Sequence, residues 1–569
     1  MTSAAQRFLS NPGPARRAPG KDAVPTVPSG LKMWLEALPM ANPGVAARML
    51  FNAVKELNGY HIEPSVRLKL LEMLRAPVRL VTVTLDKQVL NMPFPLPAQK
   101  RQFGEVSRDF QVEMANGYRL ALLDVMSGRD SIPFLKGAMV LGALCKSIVY
   151  LREALLKSYL CYSAVPPLVW LDLHKLARFA DQLNLLDKTV EDDFALGRSK
   201  ATIAEFYLAP VLLSLANPYR LSQRELNDLS LALELWSKHA VLKTQRQGEE
   251  GFPIQMDADL EPGRTVREGD VGIVWAVETE ALARALIDSV VDGRASLRSK
   301  RAEPLVLDGD FVQGVAGSYG VSAERGFERL PARHQLQTVI GLDALHYMVA
   351  NRMDFQTFTR MTSEGPKEID ARQTASNWTG LNADQFRPTV IQARVLDQSL
   401  GGYRVMWENA DSVRAKVGEV VGLSTGSDDD EDQQWMTGVL RWLRVHADAQ
   451  IEVGIELISR RVTAVGLRAA SGKLAVAQRG LVMVPLKANQ GERSLILPGH
   501  ITGCEMELKV SELDDPSSFD PGSRLERVRL LELIEATGLY SQFTFGPSTD
   551  SSENTPLPET SSEPAWNIL

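Results

Sequence analysis

Apolar positions along the chain change their spacing once. From about residue 29 to 245 they recur every three or four residues: Leu50, Val54 and Leu57; then Val66, Leu70, Met73 and Leu74; and later Leu226, Leu229, Leu233 and Trp236. That period places each set on one face of an α-helix. The punctuation agrees. Asn42-Pro43 reads as an N-cap followed by proline at the first helical position, and Asn58-Gly59 closes that segment. Ser65 is expected to cap the next helix, and Ser222-Gln-Arg-Glu225 has the form of a capping box. Short connections between such segments predict antiparallel helix pairs, and the apolar stripes read as core.

After Lys243 the texture alters. Residues 244–253 are polar and glycine-rich and predict a linker. Residues 271–276 and 304–307 are β-like, with a helix over about 278–290 between them, so 254–325 reads as a small α/β module without nameable chemistry. From 326 to 470 strands dominate, at 389–396, 403–407, 436–445 and 450–458. A β-rich extension follows over 471–540, in which 524–537 reads as helix or strand. Residues 1–28 and the Ser, Thr, Pro and Glu-rich 546–569 are expected to be disordered. The predicted organisation is therefore multidomain α + β: an all-α N-terminal region (29–245), the small α/β module, a β-barrel (326–470) and the extension.

Composition narrows the function. The chain has 569 residues, which implies three or four domains. A net charge of −7 argues against a surface built for DNA, while leaving room for one local basic pocket. Cys145, Cys161 and Cys504 are too far apart for a disulfide framework or a Cys-x-x-Cys zinc site, and read as buried thiols. His61-Ile-Glu63 has no accompanying cysteine pair, so no metal is expected. The apolar run at 134–151 is broken by Lys136 and Lys146, too short to span a bilayer. Its Gly137, Ala138, Gly142 and Ala143 predict close helix packing instead. No signal peptide is visible, and a cytoplasmic protein without a transmembrane segment is expected.

The candidate chemistry lies at Asp397-Gln-Ser399-Leu-Gly401-Gly402, between two strand-like runs. Taken alone it is a turn, since Asp and Ser bond local backbone and Gly permits positive φ. Its form, Asp-x-Ser-x-x-Gly followed at once by the apolar Tyr403-Arg-Val-Met-Trp407, resembles the second signature of PilZ domains. Gly438-Val-Leu-Arg-Trp442 and Glu452-Val-Gly-Ile-Glu-Leu457 look like that family's closing strands. The first signature, Arg-x-x-x-Arg, is matched by Arg329-Leu-Pro-Ala-Arg333 ahead of the apolar 336–340. The same spacing occurs at Arg75/Arg79, Arg220/Arg224, Arg294/Arg298 and Arg325/Arg329. The two signatures stand 64 positions apart here, which implies an insertion; it includes 342–349, which could be helical.

The resemblance implies a six-stranded barrel that binds cyclic di-GMP through Arg329, Arg333, Asp397, Ser399, Gly401 and Gly402. Guanidinium groups suit guanine O6 and N7, phosphate and the purine face. The resemblance also implies a signalling receptor that controls surface attachment, pili or motility; the helical region, large, apolar-faced and free of clustered titratable residues, is expected to be the output surface that holds an unknown protein partner. The segment 325–333, with Gly326, Pro331 and the charged Arg325, Glu328, Arg329 and Arg333, is expected to be a mobile joint that orders on ligand binding. The alternative is a scaffold with the same barrel that holds proteins and no nucleotide. An enzyme is not expected. Gly422-Leu-Ser424-Thr-Gly426 has the nucleophile-elbow spacing but runs into the acidic 427–432 instead of a helix, so it reads as a turn. The acidic run itself reads as a solvated loop.

Overall fold

The computed structural model describes residues 8–9, 16–20, 23–127, 129–193, 200–246, 250–265, 272–300, 303–320, 329–362, 387–408, 412–426, 434–470, 477–484, 486, 492–501, 503, 506–514 and 523–548. Cys504, Arg325, the acidic run 427–432 and residues 549–569 lie outside them. The chain forms two compact units. One comprises Met1–Leu336, Ile391–Gly418 and Val439–Glu456; the other comprises Gln337–Val390, Glu419–Gly438 and Leu457–Leu569.

In the first unit the expected helices form: α1 (Pro28–Glu36), α2 (Pro43–Asn58), α3 (Pro64–Asp86), α4 (Ala98–Val125), α5 (Gly137–Leu160), α6 (Val169–Gln182), α7 (Ile203–Leu215) and α8 (Gln223–Trp236). Asn42 caps α2 by accepting from Val45 N, and Ser222 with Glu225 closes a complete capping box on α8. The cap of α3 is not Ser65. Pro64 supplies the preset φ of the first helical residue, so the cap falls one position earlier, on Glu63, whose carboxylate accepts from Val66 N at 3.0 Å. Leu50, Val54, Leu57, Leu70, Leu74, Leu226, Leu229, Leu233 and Trp236 are all buried in one core. Gly137 and Gly142 approach nothing closely. The tight helix contacts lie instead at Gly104 and Gly117 of α4, where an added Cβ would meet Cys161 and Leu71.

Two expectations about boundaries change. The segment 244–253 is not a free linker. It joins β3 (Val241–Lys243) to β4 (Phe252–Gln255), and both pair with β5 (Val274–Glu278) in one sheet. The module that follows, with α9 (Glu280–Asp288), β6 (Val290–Val291), β7 (Arg294–Leu297), β8 (Leu305–Asp308) and α10 (Gly309–Ser318), does not stand apart. Ile254, Trp275, Val277, Leu282, Leu286 and Leu307 are buried in the same core as the helices. Nor is the described part of 1–28 loose: Phe8 and Leu9 are buried, and Arg16 pairs with Asp124 through two bonds of 2.5 and 2.8 Å. A short hairpin, β1 (Thr189–Glu191) with β2 (Lys200–Thr202), interrupts the helical run.

The first unit also holds β9 (Leu330–Pro331), β11 (Ile391–Ser399), β12 (Gly402–Trp407) and most of β14 (Met436–Val445) and β15 (Ile451–Ser459), hydrogen-bonded in the order β14-β15-β12-β11-β9. β12 runs antiparallel to β15, with Gly402 opposite Glu456 and Trp407 opposite Ile451. The strands are bonded to the helical part: Phe94 and Ala415 exchange two backbone bonds of 2.9 Å, and Val445 N donates to Tyr162 O at 2.8 Å.

In the second unit β10 (Gln335–Ile340) pairs with β13 (Val420–Ser424), and 342–349 is helical as α11 (Leu342–Val349), followed by α12 (Phe355–Met361). Ser424 is fully buried within β13, a strand position and not the turn its glycines implied. The β-rich extension is a closed barrel in the order β16-β17-β18-β21-β20-β19, from β16 (Val462–Ala469), β17 (Gln478–Met483), β18 (Ser494–Pro498), β19 (Glu507–Leu513), β20 (Ser523–Ala536) and β21 (Tyr540–Pro547). It begins ahead of residue 471, because β16 pairs with both β17 and β19. The 524–537 segment is therefore a strand. Its core is Val465, Leu467, Leu495, Leu497, Val528, Leu530 and Phe543. No helix among the described residues is long and apolar enough to cross a membrane.

Candidate functional site

A cavity of about 660 Å³ opens on the face of the β9-β11-β12-β15-β14 sheet, inside the first unit. The turn after β11 forms its floor. β11 ends at Ser399, and Ser399 stands opposite Gly402 across the hairpin. Gly402 is required there by close approach: its φ is 152°, and a Cβ would collide with the carbonyl oxygen of Ile455 on the neighbouring strand. A second glycine, Gly454 on β15, works the same way for a side chain. An added Cβ would run into the indole of Trp442, so the ring can lie flat over the strand only because Gly454 has none.

Over this floor charged side chains pair in sequence. Arg329 Nη1 donates to Asp397 Oδ1 at 3.0 Å, and Arg404 Nη1 to Asp397 Oδ2 at 3.3 Å. Arg404 Nε donates to Glu452 Oε1 at 2.6 Å, and His446 Nε2 bonds Glu452 Oε2 at 2.8 Å. Arg441 Nε donates to Glu456 Oε2 at 2.7 Å. Burial works against the charge on Arg404, but the bonds and charges of Glu452 and Asp397 outweigh it and hold the guanidinium above its usual range. Burial likewise works against ionised Glu452, and Arg404 and His446 reverse it, so the carboxyl sits below its usual range.

The sequence-derived residues divide. Arg329, Ser399, Gly401 and Gly402 line the cavity. Asp397 lies behind the lining and is engaged by two arginines, so its carboxylate positions them. Arg333 is exposed and is not part of the lining. Leu330 and Pro331 pair with Gln398 and Asp397, which ties Arg329 to the turn; the pairing continues with Ala332 N donating to Leu396 O and Val395 N to His334 O, so Arg333 stands further along β11, away from the turn. The described part of the expected joint is thus already strand-paired.

Sequence reasoning missed most of the basic wall. Six arginines line the cavity, Arg220, Arg264, Arg329, Arg404, Arg441 and Arg444, against Glu261, Glu452 and Glu456. A signal was available for the strand-borne members. Arg404, Arg441, Arg444, Glu452 and Glu456 interrupt otherwise apolar strands with charges of both signs. Nothing local marks Arg220 or Arg264, which come from elsewhere in the chain. Tyr403 and Trp442 add aromatic faces. The whole is a basic cleft with aromatic surface and backbone exposed at glycines, suited to a small anionic ligand that carries planar bases.

The strand order around a hairpin of this form, the ion-paired aspartate and the glycine cradle define a PilZ-type site. Two family models match the chain: the N-terminal domain of the cyclic-di-GMP receptor FimW over residues 29–247, and its middle PilZ domain over residues 252–388 and 370–463. The second match runs through the α/β module and the strands together, as their shared placement requires. The cyclic-di-GMP receptor FimW of Pseudomonas aeruginosa is 25% identical to this chain, with 91% of the chain and 90% of that protein aligned. No solved structure matches. The chain belongs to the PilZ-domain family, with the long helical N-terminal region of the FimW type.

Proposed function

We propose that this protein is a receptor for cyclic di-GMP and that the cavity above the Ser399–Gly402 turn is its binding site. The observation that carries the reading is the meeting, in one cavity of about 660 Å³, of the Asp-x-Ser-x-x-Gly turn with Arg329 and five further arginines. The volume falls within the roughly 300–1,000 Å³ usual for ligand cavities. The similarity to a protein described as a cyclic-di-GMP receptor supports the same ligand. Arg329 and Arg404 face the guanine edge or phosphate, Gly401 and Gly402 admit a base close to backbone, and Trp442 offers a stacking face. Because Arg329 and not Arg333 reaches the cavity, the first signature is better matched by Arg325 and Arg329. No catalytic role is assigned to any residue. By the family resemblance the receptor serves surface attachment, pili or motility; it acts in the cytoplasm, with the helical region holding a protein partner.

Calorimetric titration of the full chain with cyclic di-GMP tests the reading. Saturable binding that Asp397→Ala weakens tenfold or more is expected, since hydrogen bonds to charged groups contribute roughly 1.5–3 kcal/mol. Absence of binding by the unmodified chain would leave the protein-binding scaffold as the better account.

A further inference from the structure

The cavity has a second wall, built by the helical region. Between α7 and α8 the chain makes one 3₁₀ turn, Pro218–Arg220. Asn217 enters it in the left-handed conformation at φ 56°, which Asn tolerates better than most residues, and Pro218 is buried. Arg220 N donates to Asn217 O at 2.9 Å, and Tyr219 OH donates to Ser163 O at 2.9 Å. Two residues later the capping box of α8 begins. The backbone under Arg220 is therefore pinned on both sides.

The side chain is not. Arg329, Arg404 and Arg441 are each matched by a carboxylate, but Arg220 makes no hydrogen bond or ion pair among the described residues. Crowding by protein and the nearby charge of Arg441 both pull its guanidinium below the usual arginine range, with Glu456 pulling the other way. Two further arginines flank it, Arg264 from the α/β module and Arg444 from β14. Arg444 lies 4.3 Å above the ring of Tyr219, and Arg264 donates to the carbonyl oxygens of Ser318 and Gly320 at 3.2 and 3.1 Å. A neutral ring and carbonyl oxygens do not neutralise a charge. Arg329, Arg404 and Arg441 are thus each held by a carboxylate, while the guanidinium of Arg220 is not. A crowded guanidinium beside a second cation is costly, and an incoming phosphate offsets that cost while gaining charge-assisted bonds.

We propose that Arg220, supported by Arg264 and Arg444, binds a phosphate of the dinucleotide, so that the helical region forms half of the site and senses the ligand directly. This rests on the cyclic di-GMP reading above. Arg220 also stands outside both family signatures: it begins an Arg-x-x-x-Arg spacing, but its partner Arg224 points to Asp228 on α8.

Titration of full-length Arg220→Ala, Arg220→Lys and Asp397→Ala with cyclic di-GMP, beside the unmodified chain, tests it. Arg220→Ala should bind roughly ten- to a hundredfold more weakly, the loss of one charged hydrogen-bonding group. Arg220→Lys should recover part of that, because a point charge still attracts phosphate without the guanidinium fork. The thermal midpoint of ligand-free protein should be unchanged in both. Hydrogen exchange over 217–222 should slow on ligand addition in the unmodified chain. If Asp397→Ala loses affinity while Arg220→Ala binds within twofold of the unmodified chain, the helical wall is not part of the site and this inference falls alone. Should Arg220→Ala fail to fold, an Arg220→Lys affinity equal to the unmodified chain overturns it equally. No binding by the unmodified chain overturns the cyclic di-GMP reading, and this inference with it.

Discussion

Asp397 shows how one residue orders a cavity from behind its lining. Its two oxygens fix Arg329, from the lead-in segment, and Arg404, from the strand after the turn, at 3.0 and 3.3 Å. A sequence reading assigns the aspartate to the ligand because the motif singles it out. The structure gives it to the arginines, since a carboxylate among guanidinium groups is most stable accepting from them. Arg333 does not line the cavity, for a related reason. A spacing of four is shared by several arginine pairs in the chain, and only strand pairing at Leu330 and Pro331 decides which one faces the cavity. The residue-level expectation is therefore asymmetric. Arg329→Ala should weaken cyclic di-GMP binding tenfold or more, and Arg333→Ala should leave it within twofold, as measured by parallel titrations. Equal losses in the two variants would refute the placement of Arg329 at the ligand.

At the scale of elements, two glycines on facing strands set the shape of the floor. Gly402 on β12 lies against the backbone of β15, and Gly454 on β15 lies under Trp442 of β14. Each should be intolerant of a methyl group for a different reason. In Gly402→Ala the obstacle is the carbonyl oxygen of Ile455, a backbone atom in a paired strand. Separation of β12 from β15 is expected, costing about 1–3 kcal/mol, with ligand binding lost alongside. In Gly454→Ala the obstacle is a side chain, and the indole can swing away at lower cost. Denaturant midpoints should rank Gly402→Ala below Gly454→Ala, and the tryptophan emission should shift in the latter. The hairpin itself was legible in the sequence from Asp, Ser and Gly between apolar runs. The contact of each glycine with a neighbouring strand was not.

For the whole molecule the strongest chemical constraint lies in two buried histidines, one in each unit. His174 donates from Nε2 to Leu260 O at 2.9 Å and accepts at Nδ1 from Tyr207 OH at 2.8 Å. His346 donates from Nε2 to Val465 O at 3.2 Å and packs against Phe355 and Phe358. Burial is the main cause that lowers both to about 4, against an ordinary value near 6.5. The unfolded chain then binds more protons between these values, so stability falls as pH drops from about 6.5 to 4. Above 6.5 the neutral rings cost nothing. The loss approaches, on the order of, 3 kcal/mol per histidine. Urea midpoints compared at pH 7 and pH 4 should show this. His174→Gln, which keeps an amide in place of a titrating ring, should flatten the first unit's share. An unchanged pH dependence in that variant would place the acid sensitivity elsewhere.

The sequence by itself determined the elements and the class. Helical period, caps and proline positions specify α2, α3 and α8 because a helix is stabilised by contacts within three or four residues. The PilZ turn is equally local, since its glycines answer to backbone geometry at the turn. Tertiary structure alone decided the rest. It fused the α/β module with the helices, because Trp275 and Leu282 bury against the same core. It drew β16 into a second barrel through pairing with β19. It brought Arg220 from the helical region and Arg264 from the α/β module to the wall opposite the PilZ turn. Charge placed across a cavity leaves no local trace, because an exposed arginine at a helix junction has the same pattern whether it faces bulk water or a ligand.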